Sequence, residues 1–385
     1  MKKVLFPRVR FKGFSEDWKE DTIRNIANIT NGKLDANAMV KSGMYNFYTS
    51  GIDVYKIDKY SFEGEGISIA GNGVNMGYMH LVSGKYNAYQ RTYILNNIKI
   101  DRHFLFYNLW KNFWEFCQKN TREGSIPYLL YDDISDFKIF KSHSNEQQKI
   151  GKLLENIDNL ITLEEIKLNK LKQLKETLLQ KMFPEPNSKT PKIRFRGFNE
   201  EWSEERFGDT IEPYRIKNYN NEKLQSYSIS NKFGFVNQKE FFENGGKAIR
   251  ANKSNSLVVF PNSFAYNPAR IDVGSIGLYK KEENCLVSPI YEVFKTDRKM
   301  NDEFLFNWFK IDKFKWIVNK SKEGSVRNTV YLKNISDYLI NFPSYSEQQK
   351  IGDFFSKIDT LLNLYLSKLN KLKQIKEALL QKMFV

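Results

Sequence analysis

Cysteine and histidine are nearly missing from this chain: its 385 residues hold two Cys and three His. Cys117 and Cys285 fall at non-equivalent places in the two repeats that make up the chain, which argues against a structural disulfide and makes a cytoplasmic protein the simplest expectation. His80, His103 and His143 lack ligand-like spacing, so no metal site is expected. With so few of either type, no Ser-His-Asp or Cys-His catalytic set can be argued. No apolar run approaches the roughly 20 residues of a membrane span, and the basic start Met1–Phe11 lacks the apolar stretch of a signal peptide. Acidic residues are the scarcer charge, 45 against 60 Lys and Arg, for a net +15. That excess favours a polyanionic partner, because Lys and Arg that neutralise phosphates release condensed counterions. A soluble protein that is merely basic is the plainer alternative. Aromatics are plentiful, with 30 Phe and 21 Tyr, enough for the cores of two or three domains.

What is present is said twice. The fifteen residues Asn169–Phe183 return at Asn370–Phe384 with thirteen identical, 201 positions on. Pro7–Phe14 (Pro-Arg-Val-Arg-Phe-Lys-Gly-Phe) returns at Pro191–Phe198 (Pro-Lys-Ile-Arg-Phe-Arg-Gly-Phe), each followed by a tryptophan, Trp18 or Trp202. Glu-Gln-Gln-Lys-Ile-Gly at Glu146–Gly151 returns at Glu347–Gly352. A period near 190 residues describes two domain-sized units, not a solenoid.

Each repeat has two parts. The first is rich in short β-prone runs broken by Gly, Asn and Asp, such as Gly66–Ala70, Arg91–Leu95, Ser256–Phe260 and Tyr291–Phe294. One helical patch interrupts them, Phe104–Gln118 with its counterpart Phe304–Val318, so the globular parts are α+β. The second part is a helix, for which Ser144 and Ser346 look like N-caps. Apolar residues recur in steps of four and three at Ile150, Leu154, Ile157, Ile161, Leu168, Leu171, Leu178 and Met182. The copy repeats them at Ile351, Phe355, Ile358, Leu362, Leu369, Leu372, Leu379 and Met383, with interruptions at Glu164, Lys175 and Lys376. This heptad seam predicts a rod of about 54 Å. Two near-identical rods most plausibly pair with each other, through Ile157, Ile161, Leu168, Leu171 and Leu178 against Ile358, Leu362, Leu369, Leu372 and Leu379. Antiparallel pairing would set the globular parts at opposite ends of a stalk; the alternative is that each helix packs onto its own globule.

The expected organisation is a first globular domain over 1–143, a spacer helix over 144–183 and a linker over 184–190. A second domain over 191–344 and a second spacer helix over 345–385 complete it. The ends of the units match, but Lys33–Lys99 cannot be laid on Tyr214–Lys295 without gaps, and the second copy holds 17 extra residues. Equal scaffolds with unequal inserts imply two related modules reading different things.

With these motifs in hand, the chain resembles the specificity subunit of Type I restriction-modification enzymes along essentially its whole length. Beyond the opening motif and the Glu-Gln-Gln-Lys-Ile-Gly helix, Gly124-Ser125 with Ile134–Asp136 and Gly324-Ser325 with Ile335–Asp337 are similar to the family's closing stretches. So is Tyr266–Arg270 with Gly274–Gly277 and Ser288–Tyr291; Ala70–Gly73 with Gly77-Tyr78 is a looser match. The resemblance implies a non-catalytic DNA-binding chain, each domain reading half of a split asymmetric sequence while paired helices set the spacing. It also implies two methyltransferase subunits, holding S-adenosylmethionine, and two restriction-translocase subunits using ATP and Mg, with no cofactor in this chain and no membrane partner.

The residues themselves leave an enzyme and a coiled-coil scaffold as other possibilities. Phe62-Glu-Gly-Glu-Gly66 fits the cofactor loop of adenine methyltransferases. The Asn/Asp-Pro-Pro-Tyr/Phe element that chemistry also needs is absent, so a strand-entry turn is the better reading. Gly71–Gly77 has phosphate-loop glycines at the wrong spacing and no following Lys-Ser/Thr. For base reading, the useful side chains pair bidentately with base edges, Arg with guanine and Asn or Gln with adenine. Loops of the divergent regions offer Asn72, Asn75, Gln90, Arg91 and Arg122, then Asn267, Arg270, Arg327 and Asn328, with Arg270 the sharpest candidate. Lys41, Lys85, Lys232 and Lys253 suit phosphate contacts, which position without specifying.

Overall fold

The computed structural model describes residues 6–119, 126–242, 253–322 and 329–385. The chain divides into two compact units, Met1–Ile166 with Leu366–Val385, and Lys167–Tyr365.

Both units share one skeleton. In the first, an antiparallel sheet runs Asn28–Asn31, Thr92–Asn96, Gly66–Ala70, Met79–Val82. A second sheet runs Val54–Ile57, Tyr45–Tyr48, Lys85–Ala88, Phe62–Glu63, its middle pair parallel. A two-stranded ladder joins Lys19–Thr22 to Lys138–Lys141. The second unit repeats all three. Its sheets run Ile211–Pro213, Glu292–Thr296, Ser263–Tyr266, Ile276–Tyr279, and Gly234–Asn237, Gln225–Ser230, Cys285–Val287, Leu257–Val259, again with a parallel middle pair. Its ladder joins Ser203–Arg206 to Leu339–Phe342. The middle stretches that resist alignment therefore share their strand order. Most of the extra length falls in one connection: 238–256 in the second unit stands where 58–61 stands in the first.

The recurring motifs have architectural jobs. Arg10 of the opening motif donates two hydrogen bonds to Glu146, at 2.7 and 2.9 Å, and Arg194 does the same to Glu347 at 2.7 and 2.8 Å. Gln147 donates to the Ser142 carbonyl and accepts from the Asp101 amide; Gln348 donates to the Lys299 and Pro343 carbonyls and accepts from the Asn301 amide. Gly151 and Gly352 let this segment approach, since a Cβ on either would collide with residues 101–104 or 301–304. Trp18 and Trp202, each 1% exposed, pack against Phe104 and Phe304.

Two local expectations need correcting. The long helices span Ser144–Lys181 and Tyr345–Met383, so Ser144 and Ser346 lie within their first turns. The carbonyls that accept the first helical N–H groups belong to His143 and Ser344. The patch at 104–118 is one helix, Arg102–Lys119, but its counterpart divides into Asp302–Trp308 and Asp312–Lys322. The break folds Trp308, Phe309 and Phe314 onto one another, with ring centroids 4.8 to 5.5 Å apart.

The long helices run antiparallel in each unit. In the first, Asp158 meets Lys376 at 2.6 Å, whereas further along Glu164 meets Lys368 at 2.9 Å and Glu165 meets Lys373 at 2.7 Å. In the second, Lys175 pairs with Asp359. Ile157, Leu168, Ile358 and Leu369 are buried; Ile161, Leu171, Leu178, Leu362, Leu372 and Leu379 are half-buried. The apolar stripe also closes both globular cores. Ile150 and Leu154 join Leu380, Met383 and Phe384 in the first, and Leu179, Met182 and Phe183 join Ile351, Phe355 and Ile358 in the second. Among the described residues no helix is long and apolar enough to cross a membrane.

Candidate nucleic-acid interface

In the first unit, three loops meet around Asn72. The loop 71–77 leads from the buried strand Gly66–Ala70 towards the half-buried strand Met79–Val82, and its backbone is pinned in place. Gly71 N–H donates to the Arg91 carbonyl at 2.7 Å and Gly73 N–H to the Pro127 carbonyl at 2.8 Å, while the Gly71 carbonyl accepts from Leu129 N–H at 2.8 Å. Asn72 also pairs across an isolated bridge with Tyr128 and accepts a hydrogen bond from the Ser50 hydroxyl. Gly77 has φ +86°, and a Cβ there would lie 2.7 Å from Cys117 Sγ, so this position requires glycine. The Gly71–Gly77 glycines thus serve a tight turn and close packing.

This geometry brings Asn72, Asn75, Gln90 and Arg91 to one region, the last two exposed on the turn whose Arg91 carbonyl holds Gly71. Lys41 is exposed in a turn before Tyr45–Tyr48 and has no hydrogen bond to this cluster. Lys85 lies 4.6 Å over the Tyr60 ring, and its hydrogen bond to Tyr60 together with Glu63 raises its pKa. Arg122, Arg327 and Asn328 lie outside the described residues. Phe62–Gly66 joins Phe62–Glu63 to Gly66–Ala70 as a turn, with Glu65 bound by Arg102 at 3.0 Å.

The equivalent loop of the second unit is 267–275. Arg270 N–H donates to the Asn267 carbonyl at 2.9 Å, and the Arg270 carbonyl accepts from Ser275 N–H at 3.1 Å. Its backbone is thereby fixed while its side chain stays exposed. Asn267 is occupied differently: its side-chain oxygen accepts from Ala269 N–H at 3.1 Å, an Asx turn that shapes the loop. The Pro268 carbonyl accepts from Val330 N–H at 2.9 Å, matching the Gly71–Leu129 bond of the first unit. Ser275 Oγ donates to the Ile229 carbonyl at 2.8 Å, drawing in the hairpin that carries exposed Lys232 and Phe233. Lys253 stands apart in the turn Lys253–Asn255. Asp272 pairs with Lys322, which holds its carboxyl below the usual range.

Sequence reasoning missed Ser50, whose only signal is a hydroxyl in an unremarkable loop, and the exposed apolar side chains. Val74, two residues after Asn72, is 90% exposed, and Ile126, two residues before its bridge partner Tyr128, 70%. Among the described residues no group of His, Cys, Asp or Glu is arranged to hold a metal ion. Two equivalent, backbone-pinned loops carrying different side chains suit recognition of two different stretches of a polyanion.

A family model for the Type I restriction modification DNA specificity domain matches the chain twice, over residues 15–173 and 197–377. The chain is 23% identical over 409 residues to the Type I restriction enzyme EcoDI specificity subunit of Escherichia coli, covering 96% of this chain and 88% of that one. A shorter match, 26% identical over 134 residues, is to the Type I restriction enzyme MjaVIII specificity subunit of Methanocaldococcus jannaschii; it covers 34% of this chain and 30% of that. In fold, the chain is similar to the S subunit of a Type I restriction-modification system from M. genitalium, with a TM-score of 0.69, 16% identity and 99% of both chains covered. A second solved chain, from a type I R-M assembly, gives a TM-score of 0.52 at 13% identity, covering 96% of this chain and 98% of that.

Proposed function

The chain belongs to the Type I restriction-modification DNA specificity family, and from this premise we propose that each unit reads one half of a bipartite, asymmetric DNA target. One observation carries the reading. The two units keep the same strand order and the same loop anchors, yet present an asparagine-flanked loop in one and Arg270 in the other. A shared scaffold holds the loops; unlike side chains at their tips read unlike bases.

The chain would supply recognition while methyltransferase subunits supply S-adenosylmethionine chemistry, two of them for two repeats, with two restriction subunits added for cleavage using ATP and Mg. Repeated exposed leucines support the docking of such partners. Leu160 and Leu163 are 46% and 45% exposed on one long helix, and their counterparts Leu361 and Leu364 are 44% and 63% exposed on the other. Apolar side chains repeated at the same helical positions suit a contact made twice.

Mapping modified adenines in a host carrying this chain with its methyltransferase partner tests the reading. Arg270→Ala relaxes base preference in one half only, costing about 1–3 kcal/mol if the lost contact is bidentate. Uniform weakening at every site would contradict base reading.

A further inference from the structure

Val74 stands at the tip of the Asn72 loop, 90% exposed. Scattered apolar side chains on a surface need no explanation, but this one is held out by its surroundings. Met76, two residues on, is buried at 3% exposure, and Gly77 packs on Cys117. Between them the backbone is closed by Met76 N–H to the Gly73 carbonyl at 3.0 Å, Gly77 N–H to the Ala70 carbonyl at 2.8 Å and Tyr78 N–H to the Asn75 carbonyl at 2.9 Å. The loop cannot fold Val74 inward without breaking these bonds. A β-branched side chain is also stiff at χ1, so little entropy is lost when it is seated against a surface.

The neighbours indicate what that surface is. Asn75 follows Val74 in sequence and its amide matches the N6 and N7 edge of adenine, while Asn72, whose side-chain oxygen accepts from Ser50, keeps its amide nitrogen as a donor beside it. Among major-groove edges, the apolar group is the 5-methyl of thymine, which adenine brings with it in every A·T pair. Valine cannot pair with phosphate, and side chains that wedge between base steps are the longer Phe, Leu, Ile and Met or the ring of Pro. We propose that Val74 is a specificity-determining residue of the first unit, seated against the 5-methyl group of a thymine in the major groove. This rests on the reading that the unit faces DNA, and deepens it to one functional group of one base.

The test uses the chain assembled with its methyltransferase partner and a duplex carrying the mapped target. Each thymine, in both halves, is replaced singly by deoxyuridine, which lacks only that methyl group. At one position the replacement weakens binding about fourfold, the equivalent of about 0.8 kcal/mol for one buried methyl-sized group. Val74→Ala weakens binding to the thymine duplex by a similar factor and binds the thymine and deoxyuridine duplexes equally at that position. Sequence-specific binding with no thymine sensitive to replacement would overturn the inference while leaving the proposed function standing. So would a Val74→Ala variant that assembles and still discriminates deoxyuridine at that position, or one that no longer assembles with the partner, since Val74 would then face protein. Loss of sequence preference for every target in the unaltered assembly would overturn the proposed function, and this inference with it.

Discussion

Glu146 and Glu347 are charged side chains at 0% exposure, each held by Nε and Nη2 of an arginine that enters from the opening motif of its unit. A buried carboxylate is tolerated because a bidentate guanidinium satisfies it; removing the partner leaves an uncompensated charge. Arg194→Ala should therefore cost about 3–5 kcal/mol, read as a lowered urea midpoint for the second unit, and Arg10→Ala should do the same in the first. Replacing both partners, Arg194→Met with Glu347→Leu, should cost far less. Lys310 shows the opposite balance. Its ammonium lies 3.8 Å from the Phe306 ring centroid and 3.9 Å from Asp359, both favouring charge. Burial and the neighbouring Lys175 outweigh them and push its pKa down to about 7, with Lys280 also disfavouring and Glu303 favouring the charge. The unfolded chain keeps its proton to roughly pH 10, where an unperturbed lysine titrates. Stability consequently rises with pH between about 7 and 10 and falls as pH drops towards 7. Lys310→Met should flatten that rise when unfolding midpoints are compared at pH 6.5 and 9.

Along the long helices, charge and apolar pattern do different work. The apolar stripe covers both the partner helix and the globular cores, so it does not by itself choose a register. The cross-helix ion pairs discriminate between registers because each links one residue to one partner. Asp158 is held by Lys376 at 2.6 Å and by the Tyr107 hydroxyl at 2.7 Å, a half-buried arrangement stronger than an exposed pair. Exchanging the charges, Asp158→Lys with Lys376→Asp, should recover part of what either reversal loses, with a coupling of about 0.5–3 kcal/mol in a double-mutant cycle. Additive losses would show that the pair contributes nothing specific. The heptad seam was legible in the sequence because its period is local. What Ile150, Leu154, Leu179 and Leu380 pack against was not, since periodicity shows that a face is apolar without saying what covers it. For the same reason the Glu-Gln-Gln-Lys-Ile-Gly motif was visible as a repeat while its arginine partners, 136 and 153 residues away, were not. In the candidate site, residue types pointed to Arg270 and Asn72, but the Asx turn that occupies Asn267 depends on a local backbone geometry that composition does not reveal.

At the scale of the whole chain, the two repeats fold by different routes through the same design. The second unit is one continuous segment, Lys167–Tyr365, whereas the first is completed by Leu366–Val385 from the far end of the chain. Phe384 packs edge-on against Trp18 at 6.2 Å, its carbonyl accepts from Lys111 Nζ at 3.0 Å, and Val9 N–H donates to the Lys382 carbonyl at 2.9 Å. The equivalent place in the second unit is filled by Phe183, against Trp202 at 6.0 Å, from within its own segment. Removing residues 379–385 should therefore strip Leu380, Met383 and Phe384 from the first core alone. Each of these truncations to Ala in a packed core costs about 2–5 kcal/mol, so together they exceed the margin of about 5–15 kcal/mol that keeps a domain folded, or come close to it. Hydrogen exchange followed by mass spectrometry on the shortened chain should find protection lost around Trp18 and Phe104, at the other end of the sequence, while peptides around Trp202 and Phe304 stay protected. Unchanged protection around Trp18 and Phe104 would mean that the first unit does not depend on the chain's far end for its core in the way its packing requires.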